Sequence, residues 1–239
     1  MKLDDHTRCR PKLKGQQGFT LIELMISSVI GLLLTTAMLA AFVASARTYQ
    51  LQDAMSEVQE NGRFAMNLLL KDLRQSGVDS TVDEAVLGIK SSKAKVEDFE
   101  QEYGNLVISQ RNIKSNIIYL PGLEADDVTY YIGDTDAGRV SLYRKKQAQV
   151  EGIEGLVFEY GVDSDDDALV NHYKALAQMT ATDWSAVISV RFSLLVSSFA
   201  AGITDQAQVL VSPFDTVDTS NRRLYQVYTA TALLRNAVL

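Results

Sequence analysis

Apolar positions along the chain change their spacing three times, and each change marks a different element. Residues 1–18 are polar and basic. From Leu24 to Ala46 there are 23 residues without a charge, apolar all round. After Ala46 the apolar positions Leu51, Met55, Val58, Gly62, Ala65, Leu69 and Leu73 recur every three or four residues, which is one face of a helix. No proline lies between Pro11 and Pro121. Gly77 suits the position after a helix end, and Lys71 and Arg74 suit its negative C-terminal dipole. The pattern predicts a helix from Phe19 to Ser76, about 87 Å long. Its first half is expected to protrude into membrane or filament core, and its second half to pack on a globular head. Gly31 and Gly62 are expected as possible bends, and Gly31 alternatively as a close-packing site between helices.

From residue 105 the period becomes two. Strands are expected at 105–110, 116–120, 127–132, 139–145, 153–161, 186–197 and 223–235. Residues 78–104 read as an irregular connection. Gly133 to Gly138 fits a hairpin turn between the third and fourth strands. Ile188, Val190, Phe192, Leu194 and Val196 share one face of the sixth, with Ser189, Arg191 and Ser193 opposite, so a half-buried strand is expected there. A long helix followed by strands predicts an α+β fold with a mainly antiparallel sheet. The expected organisation is a leader at 1–18, an apolar anchoring helix at 19–46, its amphipathic continuation at 47–77 and a β-rich head at 78–239.

Charge places the chain in a membrane. The uncharged run is about 35 Å long as a helix, against about 30 Å of bilayer hydrocarbon. The whole chain carries a net charge of -7. The leader holds five basic residues against two acidic ones, so the remainder is at -10. A basic flank before the span and an acidic domain after it predict a cytoplasmic N-terminus and an external head. An acidic surface without a basic stripe argues against nucleic-acid binding. Arg144, Lys145 and Lys146 read as a solvated strand edge.

The leader is not an ordinary secretory signal. In such a signal the cut follows a short apolar run. Here the apolar run is long, and Gly18 precedes it. A cut after Gly18 leaves the helix on the product and exposes a cationic α-amino group at Phe19, four residues before Glu23. A carboxylate beside a membrane span is costly unless it has a partner. That amine supplies one, within the chain or from a neighbouring chain, where the pair would set the axial register between helices.

Gly18-Phe19-Thr20-Leu21-Ile22-Glu23-Leu24 resembles the class III signal of type IV pilins and type II secretion pseudopilins. The resemblance implies cleavage between Gly18 and Phe19 by a prepilin peptidase, N-methylation of Phe19, and assembly through Glu23 and a neighbouring N-terminus. Four further stretches resemble the PilW-type minor pilins: Gly62 to Met66, Asp72 to Gly77, Gly155 to Gly161, and Tyr228 to Thr231. They imply a pilin-like fold and a structural subunit of type IV pilus assembly, in a priming or tip-proximal position. The implied partners are the prepilin peptidase and other major and minor pilins, with a tip adhesin left open. The implied location is the bacterial inner membrane and then the pilus. A minor pseudopilin of a type II secretion system is the close alternative. A membrane-anchored ligand-binding domain is the more distant one, and it predicts a buried polar pocket.

Other chemistry is thin. Cys9 and His6 lie in the leader, so no thiolate site or disulfide is expected in the mature chain. His172, between Asn171 and Tyr173, reads as a surface residue, and no nucleophile elbow or phosphate loop accompanies it. No catalytic residue, metal ligand or cofactor is expected. Asp163 to Asp167 is a carboxylate cluster of the kind calcium favours, but Ala168 and Lys174 stand where an EF-hand needs Gly and Glu. It reads as an acidic turn. Trp184 reads as a packing residue.

Overall fold

The computed structural model describes residues 18–76, 87–89, 117–120, 128–135, 138–145 and 147–235. The leader and the expected strand at 105–110 lie outside the described residues. Two compact units divide the chain, Met1–Thr48 and Tyr49–Leu239.

One helix, α1, runs over Leu21–Gln75. It continues unbroken through Gly31 and Gly62, so neither glycine ends it. Its apolar run is long and apolar enough to cross a membrane. Four hydroxyls in that run, those of Ser27, Ser28, Thr35 and Thr36, turn back on the helix. Ser27 donates to Glu23 O at 2.7 Å, Ser28 to Leu24 O at 2.8 Å, Thr35 to Gly31 O at 2.9 Å and Thr36 to Leu33 O at 2.9 Å. Each hydroxyl is thus satisfied without water, as a lipid-facing helix requires.

In the second unit, α1 buries Ala54, Val58, Gly62, Ala65, Leu69, Asp72 and Leu73. From Val58 onward these are the expected positions, with Asp72 added; Leu51 and Met55, also expected on that face, are exposed, and Ala54 is buried in their place. Each fully buried Val or Leu among them contributes about 1.5–3 kcal/mol.

Among the described residues nine strands form two sheets in which every pairing is antiparallel. The first contains β1 (Leu87–Ile89), β2 (Ile117–Leu120), β3 (Val128–Asp134), β4 (Val140–Arg144) and β5 (Gln147–Glu151), side by side in that order. The second contains β6 (Ile153–Val162), β7 (His172–Ala175), β8 (Val187–Ser197) and β9 (Tyr225–Leu233), in the order β7-β6-β8-β9. The Gly133–Gly138 stretch does join β3 to β4. Three strands were not expected. Strand β1 lies in a stretch read as irregular. Strands β5 and β7 alternate polar and apolar residues, Gln147-Ala148-Gln149-Val150-Glu151 and His172-Tyr173-Lys174-Ala175, but over only five and four positions, too short a run to stand out.

The division into two sheets occurs at Gly152. Its φ of 79° is left-handed, a region glycine enters without steric cost. Its N–H donates to Val140 O in the first sheet at 2.9 Å, while its carbonyl accepts from Ser197 N–H in the second at 2.7 Å. A Cβ there would meet Ser197 O at 2.7 Å. One core joins both sheets to α1, with Leu69 and Leu73 against Ile118, Tyr130, Leu142, Phe158, Phe192 and Leu194.

Strand β8 is more buried than expected. Its inward face carries the predicted apolar set, with Phe158 and Phe192 ring centroids 6.4 Å apart across β6 and β8. Its other face is covered in part as well. The connection 198–224 lays Phe214 against Leu195 and Tyr225, and Ser189 is buried. A long irregular connection gives no periodic signal, so this cover could not be read from the strand itself.

Candidate functional site

The N-terminus of α1 is built by Thr20 and Glu23. Thr20 O accepts the first helical bond, from Leu24 N–H at 3.2 Å. The Thr20 hydroxyl accepts from Glu23 N–H at 3.3 Å and donates to Glu23 Oε2 at 3.3 Å, while Thr20 N–H donates to Glu23 Oε2 at 3.4 Å. This is a reciprocal capping box: two N–H groups that the helix leaves orphaned find side-chain acceptors. The carboxylate also sits at the positive end of the helix dipole. Glu23 therefore has a partner inside its own chain, independent of any amine at Phe19. The signal for it in the sequence is the Thr-x-x-Glu spacing of Thr20 and Glu23.

Gly18 and Phe19 precede the helix. Phe19 is 84% exposed, and a Cβ on Gly18 would touch nothing within 4 Å. Gly18 and Phe19 are thus exposed, as are the apolar side chains from Leu21 to Val43.

The other candidates resolve differently. Asp163 Oδ1 accepts from Asp165 N–H at 3.2 Å and Asp166 N–H at 2.8 Å, and Oδ2 accepts from Ala168 N–H at 2.8 Å. Burial pushes its carboxyl up, but the backbone donors of Ala168, Asp165, Asp166 and Asp167 outweigh that and hold it below the usual range. Asp163 thus organises the turn, although carboxylate oxygens of Asp163, Asp165 and Asp167 lie within 4.8 Å of one another. His172 is exposed on β7. Trp184 packs edge-on against Tyr160 at 4.8 Å.

Arg144 corrects the reading of a solvated triplet. Its Nε donates to Asp72 Oδ2 at 2.7 Å, and the Asp72 side chain is 3% exposed. The pair ties β4 to α1, where a buried carboxylate requires a cation. Lys145 lies in the turn after it.

A groove of about 290 Å³ lies between α1 and the β4–β5 hairpin. Its charges answer one another. Arg139 reaches Glu151 at 2.6 Å and stacks 3.4 Å over the Phe199 ring, and the Glu57 carboxylate accepts Phe199 N–H at 3.1 Å and 3.2 Å. It is an open groove and not a buried pocket, and it holds Glu57, Glu151 and Glu154 against Arg139 and Arg223.

Comparison with known proteins bears on the same two regions. The family described as Type IV Pilus-assembly protein W matches residues 129–236, from β3 through β9. The prokaryotic N-terminal methylation motif matches residues 13–39, which include Gly18, Phe19 and Glu23. Among solved structures, a type IV-like pilin from Thermus thermophilus is similar at 12% identity and a TM-score of 0.42, over 76% of this chain and 98% of that one. No curated protein matches the chain in sequence. A methylation motif at the head of an apolar helix, followed by an antiparallel α+β head, defines a type IV pilin-like subunit. Within that class its head is similar to the PilW family over residues 129–236.

Proposed function

We propose that this chain is a minor pilin of type IV pilus assembly, made as a precursor and cut between Gly18 and Phe19 by a prepilin peptidase. Phe19 is then N-methylated. The product is a structural subunit, not an enzyme, held in the inner membrane by a single pass with its head in the periplasm. It enters the filament at a priming or tip-proximal position through helix contacts with other pilins. The observation that carries this reading is the N-terminus of α1. An accessible Gly18-Phe19 bond lies directly before a helix whose first turn holds a carboxylate and whose following residues are apolar and exposed. The PilW match favours the pilus over a type II secretion role.

The geometry adds one element to the role of Glu23. The carboxylate that caps its own helix is the same one offered to a neighbouring α-amino group. In the filament the ammonium would compete with the Thr20 donors for Glu23 Oε2. A cation is the stronger partner, because charge-assisted hydrogen bonds are about twice as strong as neutral ones.

The test is the N-terminal mass of the chain produced with and without a prepilin peptidase, together with two variants. The expected product begins at methylated Phe19. Glu23→Gln retains a capping acceptor and loses the charge, whereas Glu23→Ala loses both. Both variants are expected to be processed, and both to assemble poorly. A functional protein that still bears its first 18 residues, or one that has lost the apolar helix, would overturn the reading. Normal assembly of Glu23→Gln would remove the charge argument.

A further inference from the structure

The second sheet ends in an unguarded edge. Strand β9 contributes nine residues, Tyr225–Leu233, with no charge, no proline and no register shift against β8. Folded proteins blunt such edges with short strands, lysines, prolines or bulges, because the free N–H and C=O groups of an edge invite another strand. The other described edges have these guards. Strand β1 has three residues and β7 has four, with Lys174 of β7 held by Asp183 at 2.7 Å. Strand β5 pairs through a bulge and has Glu151 O capped by Asn61.

The bonds that flank the β8–β9 ladder show which groups are free. Leu224 O accepts from Ser198 N–H, and Leu234 N–H donates to Ile188 O, each at 2.9 Å. Alternation along the strand therefore turns the N–H and C=O of Tyr225, Val227, Thr229, Thr231 and Leu233 away from β8. At Tyr225 a peptide-like group is already seated. Tyr225 N–H donates to Gln208 Oε1 at 2.6 Å, and Gln208 Nε2 donates to Tyr225 O at 3.4 Å. A side-chain amide here makes the two bonds that a neighbouring strand residue would make. Beyond it, among the described residues, nothing bonds the outward groups of Val227, Thr229, Thr231 and Leu233. Val209, beside the amide, is 94% exposed.

We infer that the β9 edge is a strand-addition site for an extended segment of another protein, running along Val227–Leu233 from the place where Gln208 stops. Charge selects the occupant. Arg222 before the strand and Arg235 after it are exposed, while Arg223 is paired with Glu154 at 3.3 Å. A second copy paired symmetrically along the whole strand, with Tyr225 opposite Leu233, would bring Arg222 of each copy beside Arg235 of the other, and like charges so placed are destabilising. The fitting partner is an uncharged, β-branched segment bounded by carboxylates at both ends. The inference stands apart from the pilus reading, since a processed and assembled subunit could still fail this test.

The experiment uses the full chain in detergent micelles and three synthetic peptides. One alternates threonine and valine between terminal aspartates. The second has terminal lysines instead. The third is the aspartate peptide with its ladder-facing amides N-methylated. Amide exchange is followed by NMR. The aspartate peptide is expected to slow exchange at Val227, Thr229, Thr231 and Leu233 by about tenfold or more, and the lysine peptide to bind about tenfold more weakly. The N-methylated peptide is expected to give no protection. Thr229→Pro is expected to abolish binding, because that N–H serves the open edge and not β8. Failure of the aspartate peptide to protect these amides would overturn the inference. Protection by the N-methylated peptide would do the same. So would a chain that sediments as a dimer with these amides protected before any peptide is added.

Discussion

Asp72 is the residue on which the contact between helix and first sheet turns. It is 2% exposed, on a helix face otherwise built from Ala, Val, Gly and Leu. Oδ2 accepts from Arg144 Nε and from the Tyr130 hydroxyl, both at 2.7 Å. Two donors on one oxygen are what a carboxylate needs when water is excluded. Removing one member leaves the other buried and unanswered, which costs about 3–5 kcal/mol, whereas replacing both by apolar groups is often neutral. Asp72→Ala is therefore expected to lower unfolding free energy by about 3 kcal/mol in urea titration of the micelle-bound chain. Asp72→Leu combined with Arg144→Met and Tyr130→Phe, which removes all three polar groups, is expected to regain most of it. A loss under about 0.5 kcal/mol for Asp72→Ala would mean that the pair is solvated. In the sequence, Asp72 and Arg144 are 72 residues apart. Each lies among charged neighbours, Lys71 and Arg74 or Lys145 and Lys146, and nothing marks either as buried.

At the scale of elements, α1 meets β9 through Gly62. A Cβ on Gly62 would overlap the ring of Tyr228, whose hydroxyl donates to Val58 O at 3.3 Å. Glycine is there for space and not as a bend. In isolation Gly→Ala would favour a helix by about 1 kcal/mol. Here the overlap is expected to reverse the sign, so that Gly62→Ala destabilises by about 1–3 kcal/mol. In a Tyr228→Ala background the same change is expected to stabilise the chain. Thermal melts of the four chains form the cycle, and a stabilising Gly62→Ala in the wild-type background would refute the packing role. The helix, the hairpin between β3 and β4, and the apolar face of β8 were legible because each repeats a period over many residues. Strands β5 and β7 were not, since their alternation extends over only five and four residues and such short runs arise in any loop.

Across the whole molecule, stability is tied to alkaline pH through buried tyrosines. Burial, and next the hydrogen bond with Asp72, push the Tyr130 hydroxyl far above its ordinary value. Burial alone does so for Tyr160, whose hydroxyl finds no partner among the described residues. The folded chain keeps these protons while the unfolded chain releases them near pH 10. Above that pH the unfolded state binds fewer protons, so stability falls as pH rises; below it these groups contribute no slope. Unfolding free energy is expected to be flat in this respect up to about pH 9.5. It is then expected to drop by up to about 1.4 kcal/mol per pH unit for each such tyrosine. Ionisation of Tyr130 and Tyr160, read by ultraviolet absorbance, is expected to coincide with unfolding. Tyr160→Phe is expected to reduce the slope without loss of stability at neutral pH. An unchanged slope would show that Tyr160 is open to hydroxide.

The amino-acid sequence by itself determined the N-terminal chemistry and the order of elements. The basic leader, Gly18, Phe19, the Thr20–Glu23 spacing and the uncharged run are all local, and their physics acts within one turn of helix or one bilayer thickness. Tertiary structure alone decided that the strands form two sheets, that Asp72 and Arg144 meet inside, that Gly62 makes room for Tyr228, and that β9 ends a sheet with the outward groups of Val227, Thr229, Thr231 and Leu233 unbonded among the described residues. Those outcomes depend on residues far apart in the chain, and an edge differs from a central strand only by which neighbour arrives.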